Sequence, residues 1–407
     1  YGLEMEMGHK EVGGVKSKIT SSGTHDHIME QLEIDWKYSD AMQACDNEKL
    51  VKYVVRDVFN QFGLNTNFTA KPIGGVAGNG EHTHIGVCAK LKNGKMTNLF
   101  APVKMQEEFL TPIGFGALMG ILKNYEAINP FVSSTNDSLN RLKPGYEAPV
   151  CIVTSLGHSP ADPSRNRTVL IGLIRNAQNP MATRFELRAP NPKSNTYLVL
   201  ASSYMAMTDG IRAALENEKS AKDLEKSLSK KRGEEDFYLE KDREYRSEKD
   251  VFEDFTEEER TELFGRAPKT VWENLKGFAD YPEKMLAIMG DGVITPISLE
   301  SYKTSVLSQW KTELHNRIIP NHMDYVRECV KIHGDDATDY DLENWADIDR
   351  MRHYIAKDSL HEKSLLTRAS EALDNDDYDL ASELQIELSQ KIEQLRKLYL
   401  TYKRNLF

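Results

Sequence analysis

Four short runs of this chain carry the residue types that could do chemistry. In RFELR, residues 184–188, a strand would set Arg184, Glu186 and Arg188 on one face and bury Phe185 and Leu187 behind it. Two guanidinium groups beside a carboxylate keep it ionised. An ionised carboxylate suits a hard metal ion, and the arginines suit phosphate or carboxylate oxygens. The same pattern also builds a surface ladder of ion pairs, and the residues alone leave both readings open. In EHTHIGV, residues 81–87, alternation puts His82 and His84 on one side of a strand. The strand follows a loop containing Gly74, Gly75, Gly78 and Gly80, where the backbone can let a ligand come close. The stretch reads as a metal or nucleotide pocket, or as a surface hairpin with two polar residues on its wet face. Glu11 stands two residues after His9, and Glu33 two after Gln31, so each pair shares a strand face. Glu11, Glu33 and Glu186 with His82 make a hard donor set suited to magnesium or manganese. Arg141, Arg165 and Arg167 lie on turns and loops of the kind that handle anions. Divalent metal, several arginines and a glycine loop together point to phosphoryl transfer from a nucleotide. The chain has no GxxxxGK[ST] and no kinase signature, which argues against the standard nucleotide folds.

The elements that must position these residues follow from periodicity. MEMGHKEV and MEQLEIDW read as two strands around a turn-like polar loop, with Met5, Met7, His9 and Glu11 on one side of the first and Met29, Gln31 and Glu33 on one side of the second. Residues 40–62 read as a helix stopped by Gly63. FGALMGILKNYEAINPF reads as a buried helix that ends before Pro130. A turn and strand follow in RLKPGYEAPVCIVT, then a Pro- and Ser-rich loop, SLGHSPADPSRNR, feeding the strand TVLIGLI. After RFELR comes an apolar helix, TYLVLASSYMAMTDGIRAAL. Four segments result: a core over 1–215, a densely charged insertion over 216–266 expected to be solvated, a helical segment over 267–314, and a helical C-terminal extension over 315–407. In the extension, Leu384, Leu388, Ile392, Leu395, Tyr399 and Tyr402 draw one apolar stripe along a helix. It fits docking onto the chain's own body or a contact between subunits.

Bulk properties narrow the class. With 407 residues the chain can bury a large core. A net charge of -11 argues against a general nucleic-acid binder. No apolar run is long enough to cross a bilayer, and the opening YGLEMEMGHKE has no signal-peptide pattern. Cys45, Cys88, Cys151 and Cys329 show no paired spacing, as expected of reduced thiols in a cytoplasmic protein. The start lacks an initiator Met and falls inside a strand pattern, so the expectation is that sequence continues upstream.

Five motifs occur in an order that resembles the catalytic domain of the glutamine synthetase family, over about residues 1–310: HKEV, EQLEIDW with the helix after it, KPIGGVAGNGEHTH, NRLKPGYEAPV, and RNR followed by RFELRAPNP. The resemblance implies an α+β fold with a curved, mainly antiparallel sheet flanked by helices. It implies ATP-dependent ligation of ammonia to glutamate through a γ-glutamyl phosphate, in a homo-oligomer of two stacked rings. By the same resemblance, Glu11 and Glu33 would hold one magnesium or manganese ion and His82 and Glu186 a second. His84 would lie against the nucleotide, Gly78 and Arg141 would position glutamate, and Arg188 would stabilise its reacting carboxylate. Arg167 and Arg184 would meet the ATP phosphates, and Glu147 would sit on a closing flap that handles the ammonium proton. The chain departs from the family pattern at Ala77, Gly86 and Gly172, and by the inserted loop GGVKSKITSSGTHDHI before Glu33. Glu33 is preferred over Lys18 for the metal because the register after Gln31 runs unbroken into KYVV. The family's small N-terminal β-grasp domain and its E-x-E strand would precede residue 1, so a chain starting at Tyr1 is expected to have little ligase activity alone. Two other readings stay open: a ligase joining glutamate to a polyamine, and a non-catalytic scaffold, which the presence of all four metal ligands disfavours.

Overall fold

A computed structural model of the chain describes residues 3–11, 16–19, 25–73, 75–145 and 148–405. The strands are β1 (Met5–Lys10), β2 (Lys16–Ile19), β3 (His25–Met29), β4 (Leu32–Trp36), β5 (Thr83–Ile85), β6 (Cys88–Lys90), β7 (Met96–Asn98), β8 (Thr154–Ser155), β9 (Gly157–Ser159), β10 (Asp162–Pro163), β11 (Ile171–Ile174) and β12 (Arg184–Leu187). The helices are α1 (Ala41–Gln61), α2 (Pro112–Lys123), α3 (Tyr125–Val132), α4 (Asn136–Arg141), α5 (Thr196–Glu216), α6 (Ala221–Leu228), α7 (Glu257–Phe264), α8 (Val271–Asp280), α9 (Pro282–Ile288), α10 (Pro296–Glu313), α11 (Ile319–Glu328), α12 (Asp339–Ala356), α13 (Leu365–Asp374) and α14 (Tyr378–Arg404). The chain divides into two compact units, Tyr1–Pro268 with Gly277–Leu299, and Lys269–Lys276 with Glu300–Phe407. No helix among the described residues is long and apolar enough to cross a membrane.

The first unit is α+β. Its four-stranded sheet runs β5-β12-β11-β8, antiparallel except for the β11–β8 pair. Phe185 and Leu187 are fully buried on its inner face, as alternation requires, and Phe185 stacks on Phe100 with ring centroids 4.6 Å apart. Strands β1 and β4 form a separate antiparallel ribbon. The polar loop between them is itself a hairpin of β2 and β3, so the strand expected from Met29 breaks around Gln31. The Pro- and Ser-rich loop likewise contains a short hairpin, β9–β10. Helices α2 and α5 pack so closely that a Cβ on Gly120 would stand 2.1 Å from the Ala206 carbonyl oxygen.

Two expectations need correction. The buried apolar helix does not end before Pro130. It breaks at Asn124, whose side chain turns back to the Gly120 carbonyl at 3.0 Å, and Pro130 sits inside α3. The carbonyl that loses its amide donor to the proline is that of Glu126, and Gly277 comes close enough that a Cβ there would be 2.7 Å from it. The charged run 216–266 is not simply solvated. Leu224, Leu228, Leu239, Tyr245, Val251 and Phe264 are buried, and Val251 and Phe264 share a core cluster with Cys151, Val153 and Val169.

In the second unit, the whole stripe from Leu384 to Tyr402 is buried, and α14 packs on α12 and α13. The stripe is therefore covered within the second unit, by other helices of the extension.

Candidate functional site

The β1–β4 ribbon sets one group of donors. His9 pairs directly with Glu33, so both side chains leave the same face, and the Glu11 amide continues the ladder by donating to the Gln31 carbonyl at 2.9 Å. His9 Nε2 lies 2.7 Å from Glu11 Oε1 and 3.4 Å from Glu33 Oε2, and one ligand atom from each residue fits within 4.8 Å of the others. Burial, the Glu11 carboxyl and the charge of Asp35 push the Glu33 carboxyl up. The hydrogen bond to Glu11 raises the His9 imidazole, against a smaller opposing effect of desolvation. A cation bound among crowded carboxylates relieves their mutual repulsion. Two ligands at right angles on one octahedral magnesium or manganese ion are about 3 Å apart, so this oxygen-rich trio fits such an ion. His9 was not among the ligands expected; its spacing of two from Glu11 was the available signal.

The sheet sets the second group. Across its open face one row of paired positions runs His84, Glu186, Gly172, Ser155. His82, just before β5, reaches the same carboxylate: Nδ1 is 3.0 Å from Glu186 Oε1, and Arg188 Nη1 donates to that oxygen at 2.9 Å. Burial alone would raise the Glu186 carboxyl, but His82 and the Arg188 charge outweigh it and hold it at about 2. The His82 imidazole is lowered, by burial first and then by Arg188 and Arg141. It is therefore neutral at pH 7, donates from Nδ1 and keeps a lone pair on Nε2. That contact is a hydrogen bond, so a metal ion would meet His82 at Nε2, and this pair supplies two donors where the ribbon supplies three. Arg184 Nε donates to His84 Nδ1 at 2.7 Å, and desolvation together with the Arg184 charge lowers the imidazole from its ordinary value.

The glycine loop joins the two groups. Gln31 Nε2, from the ribbon, donates to the Gly78 carbonyl at 3.0 Å and to Asn79 Oδ1 at 2.8 Å. A Cβ on Gly78 would stand 2.3 Å from the Ala70 carbonyl oxygen and 3.1 Å from Arg141 Cγ, so the close packing of the loop itself requires glycine there. Arg141 is buried and donates to the carbonyls of Ala189 at 3.0 Å and Arg188 at 3.1 Å. Its charge thus braces the glycine loop against the end of β12. Glu81, beside His82, anchors the loop's exit: its amide donates to the Pro190 carbonyl at 2.9 Å, and its carboxylate meets Lys52 of α1 at 3.2 Å and Thr196 of α5 at 3.2 Å. Arg167 lies exposed on the segment leading into β11. Glu147 lies outside the described residues.

Residues 16–240 match the family model described as glutamine synthetase, catalytic domain. The chain is 37% identical over 215 residues to a glutamine synthetase of Clostridium saccharobutylicum, covering 53% of this chain and 42% of that protein. It is 35% identical over 216 residues to one of Pyrococcus horikoshii, covering 53% and 41%. The matched region thus spans about two fifths of the length of these relatives. A cryo-EM structure of Plasmodium falciparum glutamine synthetase superposes with a TM-score of 0.52 at 21% identity, over 75% of this chain and 55% of that one, which is a likeness of fold.

Proposed function

The chain belongs to the glutamine synthetase family, and from that premise we propose that it forms the catalytic part of a ligase that joins ammonia to glutamate at the expense of ATP. One observation carries the reading: His82, Glu186, Arg188, Arg184 and His84 stand together on the sheet, tied through Gln31 and the glycine loop to the ribbon that bears His9, Glu11 and Glu33.

In the proposed reaction the side-chain carboxylate of glutamate attacks the terminal phosphorus of ATP. The new C(O)O–P bond forms as the bond to the leaving ADP oxygen breaks. Ammonia then attacks the acyl carbon, inorganic phosphate leaves with its bonding electrons, and the amide of glutamine remains. Arg184 and Arg188 offer guanidinium charge to the transferring oxygens, where fixed donors act without reorganising. Neutral His84 offers a flat face to the nucleotide. Glu186, ionised throughout the physiological range, holds Arg188 in place. His9, Glu11 and Glu33 would hold one magnesium or manganese ion, and His82 with Glu186 a second. Such ions, when bound, neutralise charge on the triphosphate. Arg167 and Glu147 complete the proposal as phosphate contact and ammonium proton acceptor, and Gly78 and Arg141 shape the glutamate side through the loop they pack. Assembly into a homo-oligomer belongs to the same reading.

The reading is tested by calorimetry with manganese, a non-hydrolysable ATP analogue and a glutamate analogue. Manganese-dependent binding of both analogues supports it. Absence of nucleotide binding in the presence of manganese would overturn it.

A further inference from the structure

The acidic stretch after α6 does something that its charge density hides. Residues 245–247 line the free edge of β8: Thr154 bridges Arg246 in parallel, the Thr154 amide donates to the Tyr245 carbonyl at 2.9 Å, and the Ser247 amide donates to the Thr154 carbonyl at 3.0 Å. Just beyond, the Glu248 carboxylate collects donors from the chain that leaves β8. It accepts from the amides of Leu156 at 3.3 Å and Gly157 at 2.8 Å, and from the Ser155 hydroxyl. Arg246 Nε pairs with it at 2.7 Å while Arg246 Nη2 donates to the Gly157 carbonyl at 2.9 Å. Desolvation opposes ionisation of Glu248, and these donors together overcome it.

The same stretch grips the other end of that segment. Asn166 stands between Arg165 and Arg167. Its Nδ2 donates to the Lys249 carbonyl at 2.8 Å, and its Oδ1 accepts from the Thr168 amide at 2.9 Å and hydroxyl at 2.7 Å. The Val251 amide donates to that Thr168 hydroxyl at 3.0 Å. In between, the Ser164 hydroxyl accepts from the Asn166 amide at 3.1 Å and lies 2.6 Å from the Ser155 hydroxyl oxygen, whose own proton goes to Glu248. The Asn of R-N-R is thus spent on structure, which leaves the two flanking arginines to be aimed by it. The clamped segment joins Ser155 to β11, whose Gly172 pairs with both Ser155 and Glu186.

We propose that residues 246–251 are a clamp that positions the arginine-bearing loop at residues 164–168 for nucleotide phosphate, with Glu248 and Asn166 as its two positioning residues. The inference rests on the proposed function in taking phosphate as the ligand. The four N–H and O–H groups gathered at each end are worth more together than the lone surface ion pairs that acidic runs usually make.

The test measures affinity for the ATP analogue with manganese, and separately for the glutamate analogue, in the full chain carrying Glu248→Gln or Asn166→Ala. Both variants should bind nucleotide about tenfold more weakly, the size of effect seen when a supporting hydrogen bond is removed, and bind the glutamate analogue as before. A purely structural role would weaken both ligands together, or neither, and would overturn the clamp. Asn166→Ala removes a half-buried side chain and no charge, and carries the test should Glu248→Gln not fold. Nucleotide binding by the parent chain with equal affinity in the variants overturns the clamp alone. Failure of the parent chain to bind nucleotide overturns the proposed function and the clamp with it.

Discussion

Glu186→Gln removes one charge at the point where the candidate site is most strongly coupled. The carboxyl is held at about 2 against its ordinary 4.5, because a hydrogen bond from His82 and the Arg188 charge outweigh the cost of burial. Its side chain is only 17% exposed, so water screens little of the effect. A displacement of that size corresponds to about 3 kcal/mol of stability. The sign follows from the direction. A carboxyl depressed in the folded state contributes fully above its unfolded value of 4.5, and the contribution is lost as pH falls towards 2. The amide keeps an oxygen for Arg188 but not the charge. The variant should therefore be less stable than its parent by about 3 kcal/mol at pH 7 and by roughly 2 kcal/mol at pH 3.5. Urea unfolding in EDTA, followed by a fluorophore in the first unit, reads both values. A deficit below roughly 0.5 kcal/mol, or one that does not shrink on acidification, would refute the coupling.

Other substitutions probe the remaining parts. Gly78→Ala should lower the melting temperature of the first unit and cost about 1–3 kcal/mol, because the added Cβ meets the Ala70 carbonyl and Arg141; an unchanged melt contradicts the close packing. Glu33→Gln should weaken manganese binding about tenfold or more in an electron paramagnetic resonance titration, while Glu30→Gln should leave it unchanged, since Glu30 pairs with Lys10 outside the trio. Leu388→Ala, on the buried stripe of α14, should cost the second unit about 2–5 kcal/mol by chemical denaturation, and a cost under 1 kcal/mol would mean that stripe is not packed.

Much of the site was legible because strand alternation is local. The shared face of His9 and Glu11, and the burial of Phe185 and Leu187 behind Arg184 and Glu186, follow from a period of two, and the structure keeps both, while the β1–β4 register is what adds Glu33 to the first pair. The buried stripe of α14 follows as directly from helical spacing. What was not legible depends on partners distant in sequence. Nothing near Gln31 signals that its amide will meet Gly78 and Asn79, forty-seven and forty-eight residues on. Arg141 reads as an anion-binding arginine, yet its donors meet the carbonyls of Arg188 and Ala189. The acidic run reads as solvated because charge dominates its average, while Tyr245, Val251 and Phe264 decide where it packs. Pro130 sits inside a helix, and the carbonyl that it frees, that of Glu126, is packed against Gly277, 147 residues beyond the proline.

In the proposed reaction His82 and Glu186 serve phosphoryl transfer, so glutamate-dependent release of phosphate from ATP should depend on His82. His82→Ala should abolish the release while the fold, read by circular dichroism, persists. Near-normal release in the variant would contradict that role.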